Sequence, residues 1–187
     1  MQYTVTQTGI REVVVVSPTV HRDDRGCFTE LYKRSGFADV GLPTDFVQDN
    51  FSHSLGPVLR GLHYQLRPHE MGKLVSVLHG QIFDVAVDIR RGSPTYARWV
   101  GETLSADNNR MMWIPPGFAH GFCVLSEAAS VLYKVTAEYS SEHERGIIWN
   151  DPVIAVEWPL TEPLLSERDR SHPLLEDVDN NFDYGSG

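Results

Sequence analysis

Cysteine is scarce in this chain: 187 residues carry only Cys27 and Cys123, without a CxxC spacing or a Cys/His ligand spacing. A disulfide scaffold and a zinc ribbon are therefore not expected. No run of about 18 apolar residues occurs, and the opening MQYTVTQTGIREVVVV has no basic segment ahead of an apolar one. Neither a transmembrane helix nor a signal peptide is expected, and the cytoplasm is the expected location. Positive charge is also short, with 16 Lys+Arg against 25 Asp+Glu and a net charge of −9. Such a chain lacks the broad positive field of a nucleic-acid or anionic-membrane binder. It has no Walker loop, GxGxxG or GxSxG, and neither cysteine sits beside a histidine. Rossmann or P-loop nucleotide binding and nucleophilic catalysis lose their usual signatures.

The residues present describe an ordinary globular chain, 41% hydrophobic and 22% charged. Its length fits one domain, read as 1–175. The segment 176–187, EDVDNNFDYGSG, has four acids and no Lys or Arg, and reads as a flexible acidic tail held at most by Phe182 and Tyr184. Short β-rich runs dominate. REVVVVSPTV (11–20) reads as a buried strand. In 82–89, Phe83, Val85, Val87 and Ile89 alternate with Ile82, Asp84, Ala86 and Asp88, the pattern of a half-buried strand after a hairpin turn at His79-Gly80. Further strands are expected at 45–50, 58–66, 97–104, 111–114, 121–125 and 130–139, with short helices at 33–40 and in the carboxy-terminal third. This spacing predicts an all-β sandwich or barrel.

Inward polar residues of such a barrel are informative, since each costs about 1–3 kcal/mol unless partnered. On 59–66, Gly61, His63 and Gln65 share a face of small or polar residues; on 131–135, Tyr133 shares a face with Val131 and Val135. Taken singly, His63 and Tyr133 read equally well as satisfied lining residues. Metal-binding cupins carry an HxH pair, a following Glu and a later PxGxxH. Pro115, Gly117 and His120 match the last motif, but position 65 is Gln and Glu70 stands seven residues beyond His63. A two-histidine facial triad remains as an alternative, weakened by the missing imidazole. The other alternative is acid–base chemistry beside a carbonyl. Arg60, His63 and Lys73 supply an imidazole base and cations for an enolate, and a tyrosine suits the opposite-face acid.

Several blocks occur in order: DRGCFTE (24–30), QDN (48–50), LRGLHYQ (59–65), GKLV (72–75), DVAVDIR (84–90), PPGFAHGF (115–122), Tyr133-Lys134, Tyr139, Glu144 and LSERD (165–169). Over about residues 5–175 the chain resembles the dTDP-4-dehydrorhamnose 3,5-epimerase family. The resemblance implies a cupin-type jelly-roll barrel, a homodimer, and catalysis with no metal and no cofactor. It implies epimerisation at C3 and C5 of dTDP-4-dehydro-6-deoxy-D-glucose, on the route to dTDP-L-rhamnose. His63 is then the base, oriented by Asp169; Tyr133 is the acid and Lys73 steadies the enolate. Arg25, Glu30, Gln48, Asn50, Arg60, His120, Glu144 and Arg168 are implied to bind the nucleotide sugar. Forked donors such as Arg25 and Arg60 suit a diphosphate.

The chain departs from the family's common residues at Cys27, Met71, Ser76 and Arg168, leaving base, acid and Lys73 in place. One geometric difficulty stands. Arg60 and His63 are three apart, so a regular strand aims them at opposite faces unless it bulges, with Gly61 the candidate, or unless Arg60 belongs to the rim or a partner. A single-carbon epimerase, a 3,4-ketoisomerase, a metal-dependent cupin and a non-catalytic sugar-binding module are the alternatives to be separated.

Overall fold

The computed structural model describes residues 2–185. Its strands are β1 (Tyr3–Gln7), β2 (Val14–Pro18), β3 (Val20–Asp23), β4 (Gly26–Thr29), β5 (Gln48–Leu55), β6 (Leu59–Gln65), β7 (Lys73–His79), β8 (Gln81–Asp88), β9 (Trp99–Ser105), β10 (Met111–Ile114), β11 (Phe118–Val124), β12 (Ala128–Val135) and β13 (Glu144–Gly146). Two short helices join them, α1 (Arg34–Asp39) and α2 (Glu167–Arg170). A six-stranded sheet runs β1-β2-β10-β7-β12-β5, a five-stranded sheet runs β13-β6-β11-β8-β9, and β3-β4 form a separate ribbon. All pairings between named strands are antiparallel. The two large sheets face each other as a jelly roll, the expected class.

Strand alternation builds the layers. Val75, Val77, Met112 and Val131 of one sheet meet Ile82, Ala86, Phe118 and Phe122 of the other in the barrel interior. Each of these side chains except the smaller Ala86 contributes about 1.5–3 kcal/mol by leaving water. The opposite face of β2, β7 and β10, with Val14, Val16, Leu74 and Trp113, is covered by Phe37 of α1 and by Tyr3 of β1.

The outer face of the five-stranded sheet is covered too, which corrects the reading of 82–89 as half-buried. Val85 and Val87 pack with Leu62 and Tyr64 under Ile147, Ile154, Leu175 and Phe182. Alternation in β8 therefore distributes residues between two cores, not between core and water. The segment read as a flexible tail is part of this cover as far as it is described. Tyr64 donates to the Asp179 carbonyl at 2.5 Å, Asn180 to the Ile89 carbonyl at 2.5 Å, and Phe182 is buried. Apolar surface left bare on β6 and β8 is the physical reason this acidic segment docks.

His79-Gly80 is also not a hairpin turn. β7 and β8 lie in different sheets, so this sharp turn, with Gly80 at φ +74°, carries the chain across the barrel end. Cys27 and Cys123 are both free.

Candidate active site

Alternation on β6 sends Leu62 and Tyr64 into the outer core and leaves His63 and Gln65 lining a cleft of about 300 Å³. Its lining includes Lys73 from β7, Tyr133 from β12, and Gln48 and Asn50 from β5. An adjoining hollow of about 150 Å³ shares His63, Lys73 and Tyr133 and adds Arg60, His120 and Phe122. His63 thus stands on the five-stranded wall, with Tyr133 and Lys73 on the six-stranded wall.

The Arg60–His63 difficulty is resolved by a bulge. His63 pairs with His120 and Arg60 with Phe122, so three steps along β6 match two along β11. The extra residue resets the alternation and turns both side chains to the same hollow. Gly61 makes this fit: its φ is +130°, and a Cβ there would lie 2.5 Å from Gly121 Cα. Arg60 Nε then donates to Ser54 Oγ at 3.0 Å.

Behind the cleft, His63 Nε2 and Asp169 Oδ1 are 2.6 Å apart. Asp169 is placed by the N-cap of α2: Ser166 Oγ accepts from the Asp169 amide at 3.1 Å and donates to Asp169 Oδ2 at 2.8 Å. Burial alone would raise the Asp169 pKa. The His63 hydrogen bond and charge, then Ser166 and the Gly61 amide, outweigh it and hold the carboxyl below its ordinary range. An ionised Asp169 fixes the hydrogen of neutral His63 on Nε2 and leaves Nδ1 free to accept a proton.

Lys73 is buried, and desolvation lowers its pKa to about 8 against the opposing pull of Asp84 and Glu144. Its Nζ donates to the His63 carbonyl at 3.4 Å. His120 Nε2 lies 2.7 Å from Asp84 Oδ1; burial lowers the His120 pKa, Asp84 opposes this, and Lys73 adds to it. Burial raises the Tyr133 pKa, so its phenol stays protonated; Arg60 opposes the rise and Glu144 adds to it.

At the cleft rim Glu144 accepts from Tyr139 Oη at 2.6 Å and pairs with Arg168 at 2.6 Å. Burial pushes Glu144 upward, but the hydrogen bonds from Tyr139 and Arg168 leave its pKa lowered. Tyr139 had only a motif position to mark it, yet its exposed ring borders the cleft. Gln65 is a further missed residue. It braces the 138–140 loop, donating to the Glu138 carbonyl at 3.2 Å and accepting from the Ser140 amide at 2.7 Å. Polar alternation on β6 was its only signal.

Two expected binding residues lie outside this gathering. Arg25 has a side chain 90% exposed, pairs with Asp23 at 2.6 Å, and borders a hollow of about 540 Å³ on the β3–β4 ribbon. That hollow is larger than the cleft but carries no buried proton-transfer group. Glu30 accepts from Gln2 beyond the same ribbon. Within one chain neither lines the cleft, because the ribbon pairs with neither large sheet.

A jelly-roll barrel with proton-transfer groups on both walls of one cleft places the chain in the class of cupin-type acid–base isomerases. A family profile described as dTDP-4-dehydrorhamnose 3,5-epimerase matches residues 7–177. The chain is 55% identical to the Pseudomonas aeruginosa dTDP-4-dehydrorhamnose 3,5-epimerase, covering 93% of this chain and 97% of the relative. Its structure is similar to the Legionella pneumophila dTDP-6-deoxy-D-glucose-3,5-epimerase, crystallised with dTDP-4-keto-L-rhamnose: TM-score 0.91, 48% identity, 95% of each chain covered. It is also similar to ChmJ, a 3′-monoepimerase from Streptomyces bikiniensis in complex with dTDP-quinovose: TM-score 0.86, 31% identity, covering 91% of this chain and 87% of that one. The chain belongs to the dTDP-4-dehydrorhamnose 3,5-epimerase family, as its sequence blocks implied.

Proposed function

We propose that this enzyme epimerises C3 and C5 of dTDP-4-dehydro-6-deoxy-D-glucose, giving dTDP-4-dehydro-L-rhamnose for dTDP-L-rhamnose synthesis. The observation that carries the reading is the placement of His63 and Tyr133 on opposite walls of one cleft, with buried Lys73 between the sheets. The C4 carbonyl acidifies the hydrogens on both neighbouring carbons. His63 Nδ1 takes one as a proton, and the electron pair of the C–H bond becomes an enolate at the C4 oxygen. Lys73 stabilises that charge. Tyr133 then protonates the carbon from the opposite face, inverting it, and the cycle repeats at the second carbon. Asp169 keeps the imidazole in the accepting tautomer and stabilises the imidazolium. Solvent returns a proton to Tyr133 and removes one from His63, so the label at each inverted carbon comes from water. The cation in this scheme is Lys73, and no metal or cofactor takes part.

Arg60, His120, Gln48, Asn50, Glu144 and Arg168 bind the nucleotide sugar, with Tyr139 offering a flat face to thymine. The working unit is a homodimer in which the β3–β4 ribbon delivers Arg25 and Glu30 to the partner's cleft. Exposed Phe28 (66%), Phe51 (64%) and Leu55 (62%) supply apolar surface for such a contact. The free cysteines and the nucleotide-sugar substrate support a cytoplasmic location. The likeness to ChmJ favours one second reading, inversion at a single carbon.

Incubation with dTDP-4-dehydro-6-deoxy-D-glucose in deuterium oxide separates the readings. Label at both C3 and C5 is the expected result; label at one carbon selects the monoepimerase, and none at either removes both. The dimer has its own test, since a mixture of inactive Arg25→Ala and His63→Ala chains regains activity only if sites are shared between protomers.

A further inference from the structure

We propose that His63, Asp169 and His172 form an inhibitory binding site for a borderline-soft divalent cation, zinc foremost, on the side of the base turned away from the sugar. Asp169 Oδ1 lies 2.6 Å from His63 Nε2 and 3.7 Å from His172 Nε2. The three donor atoms all fall within 4.8 Å of one another. Two imidazoles and one carboxylate form a recurrent zinc donor set. The epimerase reading uses the first two residues and leaves His172 without a task.

Two further observations point to this place. The His172 side chain is only 11% exposed, and among the described residues its buried Nε2 has no hydrogen-bond partner. A buried polar atom without a partner calls for an explanation, and a bound cation is one. The fold also reserves room for this ring. Gly146 of β13 pairs with His63, and a Cβ on it would lie 2.4 Å from His172 Nε2 and Cε1. A surface hollow of about 310 Å³, bordered by Leu59, Arg60, Leu164, Ser166 and Asp169, reaches Asp169 from the side away from Tyr133 and Lys73. Zinc bonds of about 2.0–2.2 Å place tetrahedral ligands roughly 3.3 Å apart. Capture therefore opens the short His63–Asp169 contact and draws His172 inward, with solvent as fourth ligand.

The consequence for His63 is a change of tautomer. Metal at Nε2 displaces that hydrogen to solvent, and Nδ1 of the neutral ring takes one up from solvent. The nitrogen that accepted the substrate proton becomes a donor, and proton abstraction stops. Inhibition thus rests on His63 acting as the base; metal binding itself does not.

The test uses the full chain freed of metal by chelator, with cobalt(II) as the spectroscopic probe and zinc as the inhibitor. One cobalt per chain with visible absorption bands, displaced by zinc, is expected. Micromolar zinc lowers deuterium incorporation at least tenfold, and EDTA restores it. His172→Gln weakens both cobalt binding and zinc inhibition by at least the ~10–100-fold typical of losing a supporting group. Its turnover in EDTA stays within about twofold of the parent, with an unchanged melt. Should that variant misfold, His172→Ala replaces it. Equal zinc sensitivity in parent and variant overturns the proposal, as do cobalt bands that persist in the variant. Cobalt binding that needs His172 while zinc leaves turnover untouched overturns the inhibitory role. If the chain has no epimerase activity, the cobalt arm still judges the site, so the two readings fail separately.

Discussion

Replacing Lys73 by methionine makes the protein more stable and less active. Burial lowers the Lys73 pKa from an ordinary 10.5 to about 8. At 1.36 kcal/mol per pH unit, keeping this ammonium charged at neutral pH costs the fold about 3 kcal/mol. Methionine removes that cost and keeps an unbranched, apolar stem between the sheets. Against the gain stands the lost hydrogen bond to the His63 carbonyl, worth about 1 kcal/mol. The net expectation at pH 7 is a gain of about 2–3 kcal/mol, or roughly 4–12 °C in Tm for a chain of this length. The sign depends on pH. Between about 8 and 10.5 the unfolded chain binds more protons at this site than the folded chain, so parent stability rises across that window. The advantage of Lys73→Met is therefore full below pH 8 and fades as pH approaches 10.5. Paired urea titrations of parent and variant at pH 7 and pH 10 measure it. A variant less stable than its parent at pH 7, or a stability gap independent of pH, would refute the reasoning. In the same variant turnover falls ~10²–10³-fold, the usual loss for one electrostatic stabiliser, and parent activity declines above about pH 8 as the ammonium is lost.

Tyr133→Phe suppresses completed inversion far more than exchange of the first proton; nuclear magnetic resonance of the sugar in deuterium oxide reads both, and equal loss of the two assigns the phenol another task. Asp169→Asn retains the fold but lowers kcat, because the amide holds the His63 tautomer less firmly; kinetics beside a matched melting curve checks this, and an unchanged kcat counts against the dyad. Gly61→Ala destabilises by about 2–3 kcal/mol, since a methyl meets Gly121 at 2.5 Å on a backbone at φ +130°. Denaturant titration measures the loss, and a neutral result means β6 and β11 separate more readily than their contact implies.

How much of this is legible in the sequence depends on range. Local alternation located β6, β8, β10 and β12 and set His63, Tyr133 and Val131 on their faces, because period two is a property of a strand by itself. What covers the second face of a strand is not local. The apolar set of β8 was visible, but only the docking of 147–182 makes its outer side a core. The joining of His63 to Asp169, 106 positions apart, had no signature in spacing and came from the resemblance alone. The bulge was half legible: Gly61 was marked by its chemistry, whereas the His120-to-Phe122 register that needs it belongs to the partner strand. Arg25 and Glu30 carried the family's motif, but Arg25 lies on the β3–β4 ribbon and Glu30 just past it, both outside the cleft of their own chain.

The cover of residues 147–182 over the five-stranded sheet also constrains how the protein is made. While a ribosome is still extending the chain, β6, β8 and β11 can pair, yet the greasy outer side formed by Leu62, Val85 and Val87 has nothing to lie against. Productive folding of that wall waits until Ile154, Leu175 and Phe182 emerge, and Asp169 reaches the base only with them. Until that cover docks, the wall presents bare apolar surface and the base lacks its carboxylate, and surface of this kind is where chaperones and aggregation compete for a folding chain.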